Sequence, residues 1–112
     1  MYERGQVVLV RFPFTGLTSA KQRPALVVAS SDLLRSGRDL IVAAISGSRL
    51  DRPGPFDHEV TDWKLAGLLM PSVIRAGKLV TLQPDLVRRS LGRLSASDMK
   101  AVETLLRTVL GL

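Results

Sequence analysis

The sequence predicts a mainly β (α+β) fold, in which a small, strongly bent antiparallel sheet or barrel packs against one C-terminal helix. Short apolar runs at close spacing are typical of strands joined by turns. Only the last segment of the chain changes to a helical period, with apolar residues three or four positions apart. The chain has 112 residues, of which 46% are hydrophobic and 4% aromatic. This composition predicts a single domain over residues 1–112 with an aliphatic core.

The first half of the chain contains three predicted strands. They cover residues 7–12, 24–29 and 39–45, which are rich in Val, Leu, Ile and Ala. Between the second and third strands, residues 30–38 predict a turn of helix that Ser30 or Ser31 caps and Gly37 ends. Residues 13–22 and 46–55 contain Pro, Gly, Ser and Thr and are predicted to be loops. Long structured loops on small domains often carry function.

The second half is predicted to contain shorter elements. Residues 56–60 alternate apolar and polar side chains, as a half-exposed strand does, and residues 61–68 are predicted to form a short helix. Residues 72–75 and 78–82 are predicted to form a strand pair that turns at Ala76 and Gly77.

A terminal helix follows Ser95. Its predicted apolar face consists of Met99, Val102, Leu105, Leu106 and Val109. Ser95 and Asp98 have the spacing of a capping box, with Asp in place of the usual Glu or Gln. The spacing predicts one amphipathic helix packed on the sheet.

The charge balance points to nucleic acid as a partner. Sixteen Lys and Arg against ten Asp and Glu give a net charge of +6. Arginine, which supplies most of these cations, binds phosphate through a planar fork of donors. A basic surface that only keeps the protein soluble is the alternative. Neither a signal peptide nor a long apolar span is visible, so we expect a cytoplasmic protein without a membrane segment.

Several catalytic chemistries lack the residues they need. The chain has no Cys and one His, which excludes disulfides, thiol catalysis, Cys-ligated zinc and a two-histidine ribonuclease. His58 is interpreted as a structural residue rather than a triad member. The acidic cluster consists of Asp51, Asp57, Glu59 and Asp62. We interpret this cluster as a solvated surface rather than a metal site, and we expect neither a metal nor a cofactor.

Two polar segments that flank apolar strands remain as candidates. Arg23 precedes Pro24, which favours an extended backbone before it and the start of a strand after it. Ser46 follows the third predicted strand. If the second and third strands are antiparallel neighbours, Arg23 and Ser46 lie close together at one rim of the sheet. A surface arginine and a turn serine without catalytic roles are the alternative at this point.

Such a pair suits the cleavage of RNA, which carries its own nucleophile in the 2′-hydroxyl. Arg23 can clamp the phosphoryl oxygens through bidentate hydrogen bonds, and the Ser46 hydroxyl can donate to the same oxygens. Arginine stays protonated at ordinary pH, so it is assigned to charge stabilisation and not to general-base catalysis.

Five ordered segments resemble the MazF/PemK family of toxin endoribonucleases. They read RGQVVLVRFPFTG, KQRPALVVAS, LIVAAISGS, AGLLMPSVIRAGKLVTL and LGRL, and together they cover nearly the whole chain. The resemblance implies a homodimer of SH3-like barrels, each with a C-terminal helix. It also implies metal-independent cleavage of single-stranded RNA and inhibition by a cognate antitoxin that covers the RNA groove.

The resemblance also implies roles for individual residues. The essential arginine of the family falls on Arg23, and its hydroxyl residue, usually Thr, falls on Ser46. The RNA-binding candidates are Phe14, Thr15, Lys21, Gln22, Ser48, Arg49 and Arg75. Leu68, Leu69 and Met70 are candidates for the dimer face. The chain departs from the family pattern at Gln6, where an acidic residue is common, and at Ser46, which lacks the methyl group of Thr.

Two functions of a different class stay open at the level of sequence. One is a barrel that binds nucleic acid without cleaving it, and the other is a toxin similar to CcdB, which shares the fold and poisons gyrase. Only the ribonuclease interpretation uses the pairing of Arg23 with Ser46.

Overall fold

Six strands and two α-helices make up the computed structural model, which describes residues 2–11, 22–47 and 51–112. The strands are β1 (Gln6–Arg11), β2 (Gln22–Val27), β3 (Leu40–Ser46), β4 (Asp57–Glu59), β5 (Val73–Leu82) and β6 (Val87–Arg93). The helices are α1 (Ser31–Arg35) and α2 (Ala96–Leu110), and a 3₁₀ turn covers Pro84–Leu86. The predicted mainly β fold with a C-terminal helix is confirmed.

The strands form one antiparallel sheet in the order β4-β5-β3-β2-β1-β6. Consecutive side chains of a strand point to opposite sides of the sheet. On one side, Leu26 and Ile45 pack in a cluster with Val102 and Leu106 of α2. On the other side, Val10, Ala25 and Val42 belong to a cluster with Leu34 of α1. We call these sides the α2 face and the α1 face.

Both helices begin at the serines that the sequence indicates. The Ser30 hydroxyl accepts a hydrogen bond from the backbone N–H of Leu33 at 3.2 Å, and the Ser95 hydroxyl accepts one from Asp98 at 3.2 Å. Each bond satisfies a backbone donor that has no partner within its helix. The predicted helical caps at Ser30 and Ser95 are therefore confirmed.

The predicted strand pair around Ala76 and Gly77 is wrong, because β5 runs without a turn from Val73 to Leu82. Ala43 pairs with Leu79 and Ala44 pairs with Arg75, so the intervening residues of β5 form a bulge opposite β3. A bulge inserts residues into one strand and bends it without reversing the chain. The glycine at position 77 therefore marks a bend and not a hairpin.

The helix predicted over residues 61–68 is also absent, since residues 61–67 form a series of turns. The backbone N–H groups of Thr61 and Asp62 donate to the Asp98 carboxylate at 3.0 Å each, which fixes the start of this segment from outside. Gly67 has φ +78° and approaches β6 closely, since a Cβ there would lie 2.0 Å from the Leu91 carbonyl oxygen. The contact with β6 requires glycine at this position.

Strand β6 has no counterpart in the elements predicted from sequence. It contains Arg88, Arg89, Ser90 and Gly92, which obscure the alternation expected of a strand, and it pairs with β1 in a register shifted at two places. Within the described ranges, β4 and β6 form the two edges of the sheet. No helix in this part of the chain is long and apolar enough to cross a membrane.

Candidate functional site

Arg23 and Ser46 occupy corresponding positions on neighbouring antiparallel strands. Ala25 of β2 pairs with Ala44 of β3, and the same register continued by two residues sets Arg23 opposite Ser46. Cross-strand partners point to the same side of a sheet. Both residues therefore lie on the α1 face, where Val10 of β1 pairs with Arg23 from the other side.

Pro24 explains why this end of the sheet is less regular. The paired residues of β2 and β3 run from Ala25 to Val27, and Pro24 lies just beyond them. Proline has no N–H to donate to a neighbouring strand. Strand β2 nevertheless begins at Gln22, so Arg23 lies within the strand rather than before it. The pairing of β2 with β1 extends to Gln22 and holds Arg23 in an extended backbone.

Arg75 lies on the same face, one step further along the sheet. It pairs with Ala44, two residues before Ser46 on β3, which corresponds to about 7 Å at the rise of a strand. Asp57 of β4 pairs with Arg75 from the other side, and Arg75 Nε lies 3.8 Å from Asp57 Oδ1. The sequence predicts Arg75 as a phosphate contact, but it gives no indication of this carboxylate partner.

Asp57 is less exposed than the predicted acidic surface requires. Its side chain is 8% exposed, and its Oδ2 accepts a hydrogen bond from the backbone N–H of Gly54 at 2.8 Å. The interpretation of Asp57 as a solvated charge is therefore wrong. The loop before β4 folds over the carboxylate and buries it beside Arg75.

A cavity of about 250 Å³ opens next to this ion pair. The described residues that line it are Gly54, Pro55, Phe56, Asp57, Arg75, Gly77 and Lys78. It combines two cations, one carboxylate and the aromatic residue Phe56, which is 41% exposed. Arg75, which lines the cavity, lies on the same face of the sheet as Ser46.

The remaining predicted contacts differ in what the structure describes. Gln22 is exposed next to Arg23 on β2. Phe14, Thr15, Lys21, Ser48 and Arg49 lie outside the described residues. Of the residues predicted for a dimer face, Leu68 is 7% exposed and belongs to the core cluster of the α2 face, which contradicts its assignment to an interface. Leu69 and Met70 are exposed, and Met70 packs against Gly47.

His58 and Asp98 form a polar cluster on the opposite side of the sheet. His58 pairs with Ile74, which belongs to the cluster of the α2 face, and His58 Nε2 lies 2.7 Å from Asp98 Oδ1. Asp98 is 1% exposed and accepts hydrogen bonds from Thr61, Asp62 and the Ser95 hydroxyl. The structure therefore supports a structural role for His58, as the sequence predicts.

These contacts determine the ionisation of Asp98. Burial acts to raise the pKa of its carboxyl group. The backbone hydrogen bonds from Asp62 and Thr61, followed by those from His58 and Ser95, outweigh burial and lower the pKa to about 2. A carboxylate held in this way links the segment after β4 to the start of α2. Sequence spacing shows only the bond to Ser95, because the other partners are far away along the chain.

A larger cavity of about 630 Å³ lies between α1, β3 and the last turns of α2, and its described lining includes Leu33, Ile41, Leu106 and Leu110. It contains none of the predicted site residues and is mostly apolar. Among residues 2–11, 22–47 and 51–112, no group of three or more His, Asp or Glu side chains could hold a metal ion.

A comparison of the chain with models of known protein families identifies its family. Residues 3–110 match the family described as PemK-like, MazF-like toxins of type II toxin–antitoxin systems. The chain belongs to this family. The family predicted from the five segments is therefore confirmed. The match covers the strands that carry Arg23, Ser46 and Arg75, and it favours a toxin endoribonuclease over the two alternatives.

Solved structures similar to this MazF-like chain have the same fold. An endoribonuclease in complex with its cognate antitoxin, from a mycobacterial species, is 23% identical with a TM-score of 0.79, over 100% of this chain and 97% of that one. MazF from Deinococcus radiodurans is 23% identical with a TM-score of 0.77, over 99% and 97%. Toxin MazF-mt6 from Mycobacterium tuberculosis is 20% identical with a TM-score of 0.76, over 96% and 97%. No match was found among curated proteins.

Proposed function

We propose that this MazF-like chain, as one domain over residues 1–112, is an endoribonuclease that cleaves single-stranded RNA without a metal ion. The observation that carries the proposal is the antiparallel pairing of Ala25 with Ala44, because this register, continued by two residues, brings Arg23 opposite Ser46 on the face that also carries Arg75. The family match and the endoribonuclease named among the similar structures support it. A cytoplasmic location is expected because RNA is the substrate.

The proposed reaction uses the 2′-hydroxyl of the RNA as nucleophile. Its oxygen attacks the adjacent phosphorus, a new P–O2′ bond forms, and the P–O5′ bond breaks. The products are a 2′,3′-cyclic phosphate and a 5′-hydroxyl, and the proton of the 2′-hydroxyl passes in net terms to the 5′ oxygen. No water or oxidant is consumed in this step.

Arg23 and Ser46 would act on the charge that develops at the phosphorus. The guanidinium of Arg23 offers parallel donors to the non-bridging oxygens and remains protonated throughout. The Ser46 hydroxyl would donate to the same oxygens from the neighbouring strand. Such donors stabilise a transition state when the protein holds them in place before the reaction. The pairing of β1, β2 and β3 supplies that rigidity.

The other predicted RNA contacts belong to the same proposal. The residues proposed to bind the RNA strand are Phe14, Thr15, Lys21, Gln22, Ser48 and Arg49. They are close to Arg23 or Ser46 in the sequence, so an RNA strand bound by them is expected to reach the catalytic pair. The net charge of +6 favours binding of the polyanion at low salt.

A homodimer and a cognate antitoxin are proposed as partners. Leu65, Leu69 and Met70 are 66%, 96% and 55% exposed, which is a large apolar surface for one loop. Met70 packs against Gly47, the residue after Ser46, so a second copy on this loop would lie beside the site. The antitoxin complex among the similar structures supports the second partner.

We also propose that the sheet closes as an SH3-like barrel. The edge strand β6 approaches the segment 61–67 closely, because a Cβ on Gly92 would lie 2.7 Å from the carbonyl of Ala66. Ala66 belongs to the segment that follows β4, the opposite edge. This contact supports closure of the sheet by the segment 61–67 in place of a direct strand pair.

The reaction can be tested with RNA in excess EDTA. We expect cleavage of single-stranded RNA under these conditions, with products that carry a cyclic phosphate. A matched oligonucleotide with a single 2′-deoxy sugar at the cleaved position should stay intact at that position. Cleavage of the deoxy position would contradict the assigned nucleophile. Cleavage that requires an added metal ion would contradict the metal-independent mechanism.

A further inference from the structure

The cavity between β4, β5 and the loop before β4 has the groups of a base-binding subsite. On the basis of the function proposed above, we propose that this cavity holds and selects a guanine base of the RNA, next to the cleaved phosphodiester. The residues that would recognise the base are Phe56, Asp57, Arg75 and Lys78.

Arg75 presents a donor without a partner. Its Nε is buried, and among the described residues it donates no hydrogen bond. The nearest carboxylate oxygen, Asp57 Oδ1, is 3.8 Å away, which is beyond hydrogen-bond distance. A buried donor of this kind is unusual in a folded protein unless a ligand completes it. The side chain as a whole is 28% exposed, so a ligand in the cavity can reach it.

Asp57 provides an acceptor beside these donors. The backbone N–H of Gly54 holds Oδ2 at 2.8 Å, so the carboxylate is fixed before any ligand binds. Its Oδ1 faces Arg75 at a distance that leaves it able to accept another hydrogen bond. A carboxylate at this position repels a phosphate group. The cavity is therefore better suited to a neutral base than to the phosphate that the sequence predicts for Arg75.

Phe56 supplies an apolar plane for stacking. Phe56 is 41% exposed, and Gly77 of β5 lines the same cavity. A Cβ on Gly77 would lie 3.9 Å from Phe56 Cβ and within 4 Å of no other described atom, so Phe56 and Gly77 are neighbours and the space beside them is open. Bases of single-stranded RNA stack on aromatic side chains in this way while polar groups bind their edges.

Guanine is the base whose edges match these groups. It presents two acceptors, O6 and N7, and two neighbouring donors, N1–H and the N2 amino group. Arginine and lysine donors to O6 and N7 are the commonest base-specific contact in nucleic-acid complexes, and a carboxylate accepts from N1–H and N2. Adenine has an amino donor at the position of guanine O6. This donor would face the donors of Arg75 and Lys78, with which it cannot form hydrogen bonds. Cytosine has a smaller stacking surface and lacks N7.

The position of the cavity fits a base adjacent to the cut. Arg75 and Ser46 lie on the same face of the sheet, and Ala44, the partner of Arg75 on β3, is about 7 Å from Ser46 along the strand. A strand whose phosphate lies at Arg23 and Ser46 can therefore place a neighbouring base over Phe56. Selection would act on one position of the RNA sequence, without a change in the catalytic pair.

Binding can be measured separately from cleavage. Short oligodeoxynucleotides, which lack the nucleophile, would carry one G, A, C or U in an otherwise identical pyrimidine background, with affinity read by fluorescence anisotropy. We expect about ten-fold tighter binding of the G strand. Arg75→Gln should abolish this preference, whereas Arg88→Gln, the same change on β6, should keep it. Strands with 7-deazaguanine or inosine should bind more weakly to the unaltered protein, a result that does not depend on the folding of a variant.

Equal affinity for the four strands, or a preference for another base, would overturn the proposed subsite. Loss of the preference to the same extent in Arg88→Gln would also overturn it. A parallel assay with the ribose forms tests the reaction itself. A guanine preference without RNA cleavage would overturn the proposed function and leave the subsite intact. Cleavage without any guanine preference would overturn the subsite and leave the proposed function intact.

Discussion

The two faces of the sheet differ in how their charged side chains are buried and hydrogen-bonded. On the α2 face, Asp98 is 1% exposed and has four hydrogen-bond partners, three of them between residues 58 and 62 and the fourth at Ser95. On the α1 face, Arg75 has a buried Nε with no partner among the described residues, and Arg23 is exposed on a central strand. The comparison indicates that the α2 face stabilises the fold, while the α1 face keeps donors available for a ligand.

This difference predicts that substitutions on the two faces separate activity from stability. Arg23→Ala should lower the RNA cleavage rate by about 1,000-fold, because a donor to the phosphoryl oxygens is lost in the transition state. Its melting temperature should stay within about 2 °C of the original, since the side chain is exposed. Single-turnover cleavage and thermal unfolding measure the two quantities. The matched control, Arg88→Ala, removes an exposed arginine of β6 and should change neither.

Asp98→Ala should show the opposite pattern. The substitution leaves the backbone N–H groups of Thr61 and Asp62 without their acceptor and removes the contact with His58. We expect a loss of about 3 kcal/mol in the free energy of unfolding, measured with urea, because a hydrogen bond to a charged group contributes about 1.5–3 kcal/mol and several are lost together. Asp85→Ala, at an exposed position, is the control and should lose less than about 0.5 kcal/mol. The cleavage rate of Asp98→Ala should be measured at a temperature where the variant is folded. A rate as low as that of Arg23→Ala would contradict the assignment of stability to one face and activity to the other.

The pH dependence of stability should carry the signature of Asp98. Its pKa is about 2 in the folded state against an ordinary value of 3.8, so the unfolded chain takes up the proton first as the pH falls. The stabilisation is therefore complete above about pH 5 and is lost as the pH falls through 3.8 towards 2, by about 2 kcal/mol. Urea unfolding at several pH values measures this loss. The profile of Asp98→Asn should lack it, and identical profiles would contradict the role of the carboxylate.

Ser46 should have a smaller effect than Arg23. A neutral hydroxyl donates a weaker hydrogen bond than a guanidinium, so Ser46→Ala should lower the cleavage rate by about ten-fold. Ser46→Thr keeps the hydroxyl and adds the χ1 restriction of a β-branched side chain, so it should retain or increase the rate. Single-turnover rates of the two variants provide the test. A rate for Ser46→Thr as low as that of Ser46→Ala would show that the hydroxyl is not the active feature.

The sequence predicts those parts of the molecule that depend on neighbouring residues. The serine caps at Ser30 and Ser95 and the alternation of β4 are local, and the structure contains them. The opposition of Arg23 and Ser46 follows from one further assumption, that β2 and β3 are antiparallel neighbours, which is correct. The family resemblance supported RNA cleavage over the alternatives that the sequence left open.

The parts that sequence reasoning missed depend on contacts between distant segments. Asp98 binds groups around residue 60, and no spacing rule links these positions. Gly77 resembles a turn residue in the sequence, but pairing with β3 turns it into part of a bulge. The Asp57–Arg75 pair depends on the register of β4 against β5, which a short strand of polar residues does not specify.

The central claim is that Arg23 and Ser46 act together on one phosphate group. Single-turnover cleavage of one RNA oligonucleotide by the unaltered protein, Arg23→Ala, Ser46→Ala and the double variant tests it most directly. Residues that share one group are not additive, so the double variant should be little slower than Arg23→Ala alone. A rate loss equal to the product of the two single losses would show independent action and contradict the account.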